Sequence, residues 1–107
     1  MESGRFVVVF MTCASEEEAR RISEELLSNR LIACANLLSG VDSHYRWAGE
    51  LERAGEVMVL MKTRIELLEK VKALILSSHS YQVPEIFALP IFWGSTDYLS
   101  WIEEETA

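Results

Sequence analysis

Two histidines and two cysteines stand out among 107 residues as groups able to bind a metal or attack an electrophile. The stretch "SSHSYQVPEI", Ser77 to Ile86, sets His79 beside Tyr81, Pro84 and Glu85. Imidazole and sulfur donors suit a borderline or soft ion, and the divalent affinity order peaks at Cu(II). His79, Cys13 and Glu85 are therefore the candidate ligands. No pair has i,i+4 or C-x-x-C spacing, so any site must be assembled from distant segments. The competing reading makes this stretch a stiff joint: Val83-Pro84 forces extended backbone between a helix and a strand. His44 falls on the polar side of a strand and reads as a surface residue. A Cys13–His79 pair would be a conceivable nucleophile. There is no G-x-S-x-G elbow, and the five glycines are scattered rather than clustered around a phosphate. The residues point away from an enzyme.

A second constellation suggests a ligand cleft. Lys62 ends an apolar strand just before a helix start, a placement suited to anions. It also suits a lysine that snorkels from the sheet end or pairs with a Glu. Tyr45, Trp47, Tyr81, Trp93, Tyr98 and Trp101 are many rings for a small core. Tyr and Trp favour interfaces, where the ring is buried and the polar tip finds a partner. The expected cleft is lined by Lys62, Trp47, Tyr81, Glu85, Asp97 and Tyr98.

The elements that must position these residues are legible. "RFVVVFMT" (5–12) reads as a central strand buried on both faces. Ser15 and Glu18 form a capping box, with Glu16 to Glu18 at the positive end of a helix running to about Ser28. "LIACANLL" (31–38) is a second buried strand. From Val41 to Lys62 the pattern is a long antiparallel hairpin. Val41, Ser43, Tyr45 and Trp47 share one face; Asp42, His44 and Arg46 share the other. Ala48-Gly49 is the turn, and Gly55 is a candidate bulge. Thr63 and Glu66 repeat the capping pattern, which predicts a helix from Arg64 to about Ser77 with a Glu66–Lys70 pair. "PEIFALPIFW" is a strand at an edge or kinked at Pro90. Ser95 caps a short last helix with Leu99 and Ile102 inward, and "EEETA" reads as a solvated tail.

The order β-α-β-β-α-β plus a terminal helix defines an α+β, ferredoxin-like sandwich in a single domain, residues 1–107. A projecting ribbon is seldom stable alone, and the second sheet face has no cover. Both imply a homo-oligomer. A net charge of −7 argues against nucleic-acid binding. No secretory signal, disulfide framework or 20-residue apolar run is visible, so a reduced, cytoplasmic protein without membrane partners is expected. Acylphosphatase-like proteins share this architecture, but only Arg5 precedes the first strand and no phosphate cradle follows it.

"MTCASEEEARRIS", "LLSNRLIACANL", "SHYRWAGELERAGEVMVLMKT", "HSYQVPEIFALPI" and "GSTDYLSWI" together resemble the CutA family, the divalent-cation tolerance proteins. The resemblance covers nearly the whole chain. It implies a tight homotrimer whose hairpins wrap their neighbours, binding of divalent metal with copper foremost, and no assigned enzymatic reaction. It also implies a likeness to PII-type trimers that hold small ligands in intersubunit clefts. The family's usual "HPY-x-VPE" appears here as His79 to Glu85, with Ser80 for Pro and Gln82 where many members have Glu. Positions where some bacterial members offer copper a Cys and a second His read Met11 and Ser78, leaving His79. Cys13 matches another family variant. A site here is therefore expected to be assembled across subunits or to be weak, with no obligatory cofactor.

Overall fold

The computed structural model describes residues 5–107; the first four residues of the stretch read for a secretory signal lie outside them. Four antiparallel strands form one sheet in the order β2-β3-β1-β4: β1 Phe6–Cys13, β2 Cys34–Trp47, β3 Glu50–Arg64 and β4 Ile86–Pro90. Helices α1 (Glu16–Ser28) and α2 (Leu68–Ser78) are the two crossovers, and α3 (Thr96–Glu105) follows β4. This is the ferredoxin-like plan.

Strand alternation builds the core. Val7, Val9, Met11 and Cys13 of β1 and Val57, Val59 and Met61 of β3 pack with Ile22, Leu26, Val71 and Ile75 of the helices. The opposite face carries Val8, Phe10, Leu38, Met58, Leu60, Phe87 and Leu89, by register. Only its lower end is covered: α3 sets Leu99 and Ile102 over Phe6 and Ala33. The expectation that β1 is buried on both faces therefore fails in its middle, where Val8 and Phe10 are half-buried. Phe10 and Phe87 stack across that face with centroids 4.7 Å apart.

The hairpin's two arms are continuous with the sheet. β2 starts at Cys34 rather than Leu31, because Leu31–Ala33 enters from α1 as loop, held by Ala33 N–H to the Lys62 carbonyl. The bulge is not at Gly55, which pairs regularly with Asp42. It lies opposite, where Leu38 pairs Met58 but Val41 pairs Glu56, so β2 carries one extra residue at Ser39–Gly40. Gly40 supplies the left-handed conformation, φ +77°, which a Cβ disfavours. That residue reverses the alternation. Above it Val41, Ser43, Tyr45 and Trp47 share the face of Leu38 and Met58, so the ribbon's aromatics turn to the open side of the sheet.

One expected cap and the expected tail differ from the structure. Thr63 is fully buried in β3 and its hydroxyl donates to the Leu31 carbonyl at 2.6 Å, so it is unavailable as a helix cap. The chain instead makes a 3₁₀ turn at Ile65–Leu67 before α2 begins at Leu68. Glu66 turns back to Arg64 rather than forward to Lys70. Of the expected solvated tail, Glu104, Glu105 and Ala107 are exposed, but the segment is ordered. α3 runs to Glu105, and Thr106 is buried with its hydroxyl on the Ile102 carbonyl. Arg64 donates to the Thr106 carbonyl at 2.6 Å and Arg30 to the Glu104 carbonyl at 2.8 Å. Two cations thus satisfy carbonyls that a helix end leaves without partners. Pro90 is the last residue of β4, an edge strand, as its missing N–H requires.

Candidate functional site

Cys13, Glu18 and His79 converge where β1 ends and α1 begins. Cys13 is the last residue of β1 and points into the core, fully buried. Ser15 caps α1 by accepting the Glu18 N–H at 3.2 Å. Among the described residues the Glu18 carboxylate does not close the expected capping box on the Ser15 N–H but reaches past it. One oxygen accepts from Ala14 N–H at 3.2 Å and the other from Ser80 N–H at 2.8 Å. The second bond fastens the α2–β4 loop to the start of α1. Arg21 adds a bond to the Ser78 carbonyl at 3.1 Å.

His79 ends α2, its N–H on the Ile75 carbonyl, and extended backbone follows (φ −83°, ψ 143°). Its ring folds back over β1. Nδ1 accepts the Tyr81 N–H at 3.1 Å, so Nε2 carries the proton and donates to the Thr12 carbonyl at 2.7 Å. The ring packs at 51° against Tyr81, centroids 4.8 Å apart. His79 is therefore both the residue that ends the helix and a member of the donor cluster.

One sulfur, one carboxylate oxygen and one imidazole nitrogen lie within 4.8 Å of one another at Cys13, Glu18 and His79. Burial pushes the Cys13 thiol up to about 12, and the carboxylates of Glu18 and Glu56 add to the shift against a smaller opposing effect of Arg21. Burial also works to raise Glu18, but its bonds from Ser80 and Ala14 outweigh that and hold the carboxyl below its ordinary value. The Tyr81 phenol is raised by burial and by its bond to Glu56 Oε2 at 2.8 Å. A thiol this protonated is a poor nucleophile at neutral pH. The donor set does fit a borderline or soft divalent ion. Loading it requires Cys13 to lose its proton and His79 to release the Thr12 carbonyl or the Tyr81 N–H.

The residues expected from sequence divide into three places. His79 and Cys13 meet; Glu85 does not join them and Glu18 stands in the cluster instead. Glu85 lines a groove of about 640 Å³ on the open side of the sheet, with Trp47, Tyr45, Tyr81, Glu56 and Val83. The Ser39–Gly40 bulge is what turns Tyr45 and Trp47 into it. Lys62, Asp97 and Tyr98 line neither. Lys62 is hydrogen-bonded to Asn36, and Tyr98 OH lies 3.7 Å from Cys34 Sγ. Asp97 is exposed in the first turn of α3. Glu18 and Glu56 were missed as site residues. Glu18 was absorbed by its capping signal, and Glu56 looked like one more charge on the hairpin.

The fold and this site define a class: a small ferredoxin-like protein with a mixed sulfur, nitrogen and oxygen donor cluster at the end of its first strand. The model of the "CutA1 divalent ion tolerance protein" family matches residues 7–105, and the chain belongs to that family. The Divalent-cation tolerance protein CutA of Thermus thermophilus is 44% identical over 99 residues, 92% of this chain and 96% of that one. The solved Thermus thermophilus structure superposes with a TM-score of 0.93 at 43% identity, covering 95% and 99% of the two chains. A structure named as the periplasmic divalent cation tolerance protein CutA of Archaeoglobus fulgidus gives a TM-score of 0.93 at 36% identity, with the same coverage. Family members carry names of tolerance proteins, not enzymes.

Proposed function

We propose that this chain is a homotrimeric divalent-cation binding protein, with copper the first ion to test, acting in metal-ion tolerance. The observation that carries the metal reading is the convergence of Cys13, Glu18 and His79 donors within 4.8 Å. Glu18 takes the carboxylate place expected for Glu85, which lies apart on the groove wall. The bound ion would act as a Lewis acid that replaces the thiol proton. The protein's part is to hold the carboxylate ionised beside it and to release the His79 ring. Calorimetry with Cu(II) on wild type, Cys13→Ser and His79→Gln tests this. Gln keeps an N–H able to reach the Thr12 carbonyl, so fold and ligation are separated. Both variants should bind at least tenfold more weakly, and isotherms identical to wild type would remove these residues from the site.

The trimer reading is supported by the open sheet face. Leu38, Phe87 and Leu89 remain about half exposed, at 51%, 45% and 50%. They are continuous with Phe10 and Leu60, an apolar patch of the kind soluble chains cover by association. Sedimentation equilibrium should return three times the chain mass. A cytoplasmic, reducing location is our reading of two free cysteines; no helix among the described residues is long and apolar enough to cross a membrane.

A further inference from the structure

We infer that filling the Cys13–Glu18–His79 cluster releases the Tyr81 backbone amide, so that the α2–β4 loop reports whether the site is occupied. This rests on the metal reading above and adds the residue through which occupancy is passed on. Both ring nitrogens of His79 are engaged within the chain. Nδ1 accepts the Tyr81 N–H at 3.1 Å, and Nε2–H donates to the Thr12 carbonyl at 2.7 Å. A neutral imidazole has one acceptor nitrogen and one N–H. The single lone pair that His79 could offer as a ligand is therefore already spent on Tyr81.

Either mode of ligation breaks the same bond. Through Nδ1, His79 gives up the lone pair held by the Tyr81 N–H. Its Nε2–H then keeps the Thr12 carbonyl, the kind of outer contact that ligating histidines make. Through Nε2, the ring proton must move to Nδ1, where it meets the Tyr81 N–H donor against donor. The Thr12 carbonyl then loses its donor as well. Glu18 behaves differently. Each carboxylate oxygen has two lone pairs, so it can ligate and still accept the Ser80 N–H at 2.8 Å. Release is thus confined to one of two neighbouring amides. Tyr81 is held at its other end by its hydroxyl on Glu56 of β3, at 2.8 Å. The lost tie therefore lies on a path from the cluster to the long hairpin. The coupling is reciprocal: whatever fastens the Tyr81 amide weakens ligation by the same factor.

The test uses the full chain at one neutral pH, with Zn(II) as the probe. Nitrogen-15 NMR follows the His79 ring, and amide hydrogen exchange is read at His79, Ser80 and Tyr81. Without metal the ring should show the Nε2–H tautomer. In excess Zn(II) the ring signals should shift, and Tyr81 exchange should rise about threefold to tenfold, the effect of one lost hydrogen bond. The Ser80 amide and the His79 amide, which is held by the Ile75 carbonyl, should change by less than about twofold. Shifted ring signals with unchanged Tyr81 exchange overturn this inference and leave the metal reading standing. An equal rise at all three amides overturns it too, as general loosening, and so does an Nδ1–H tautomer before metal is added. Ring signals that do not move in excess Zn(II) overturn the metal reading, and this inference with it.

Discussion

Replacing Glu18 by Gln isolates the carboxylate that ties the α2–β4 loop to α1. Glu18 is 7% exposed and accepts from both Ala14 N–H and Ser80 N–H. Gln is nearly isosteric but offers one acceptor. With its oxygen on Ser80, the shorter bond at 2.8 Å, its NH₂ faces the Ala14 N–H, donor against donor. The change removes charge assistance from one bond and orphans a second amide. Hydrogen bonds to charged groups contribute about 1.5–3 kcal/mol and a buried orphan costs about 1–3 kcal/mol, so a loss of about 2 kcal/mol is expected. Urea unfolding at fixed protomer concentration measures it, since association makes stability concentration-dependent. The pH dependence is the sharper check. The folded-state carboxyl lies below its ordinary value of 4.5. Its stabilisation is therefore fully present above that value and is lost as pH falls through the lower folded value. The gap between wild type and Glu18→Gln should be constant from neutral pH to about pH 5 and shrink in more acid solution. A gap below about 0.3 kcal/mol at neutral pH, or one that widens in acid, would refute the assignment of Glu18 as the tie.

Other outcomes follow from the same structure. Gly40→Ala should cost about 1–2 kcal/mol, purely from φ +77°, since an added Cβ meets nothing within 4 Å. Gly55→Ala, equally uncrowded and without a positive φ, should be neutral or stabilising by up to about 1 kcal/mol in the same unfolding assay. Phe87→Glu, which breaks the Phe10 stack on the open face, should lower the sedimentation mass toward a single chain; an unchanged mass would put the interface elsewhere. Cu(II) affinity should fall about tenfold per pH unit between pH 8 and pH 6, because the Cys13 thiol at about 12 must release its proton to ligate. Calorimetry in buffers of differing ionisation enthalpy counts that proton, and Cys13→Ser should abolish it.

Local signals carried much of the fold. The β-branched run of β1, the Ser15 and Ser95 caps and the Pro90 edge position each declared themselves over a few residues, and their order fixed the ferredoxin-like topology. Signals that depend on distant partners did not. Thr63 matches a helix cap in sequence, but the Leu31 carbonyl, 32 residues away, takes its hydroxyl. Gly55 looks like a bulge, but the extra residue sits across the ladder at Ser39–Gly40, since either strand can absorb a one-residue mismatch. Within the site, His79 and Cys13 were legible from their chemistry. Glu18 was not, because its decisive bond reaches Ser80, 62 residues away. Glu85 shares a motif with His79, yet the extended Val83–Pro84 backbone carries it onto the groove wall.

Metal-edge X-ray absorption on the Zn(II)-loaded protein tests the proposed metal site most directly, because Zn(II) is redox-inert beside a thiol. We predict one sulfur neighbour at about 2.3 Å together with nitrogen or oxygen neighbours, the sulfur lost in Cys13→Ser and the imidazole scattering lost in His79→Gln. A shell of oxygen and nitrogen alone in the wild-type protein, unchanged in both variants, would contradict the account.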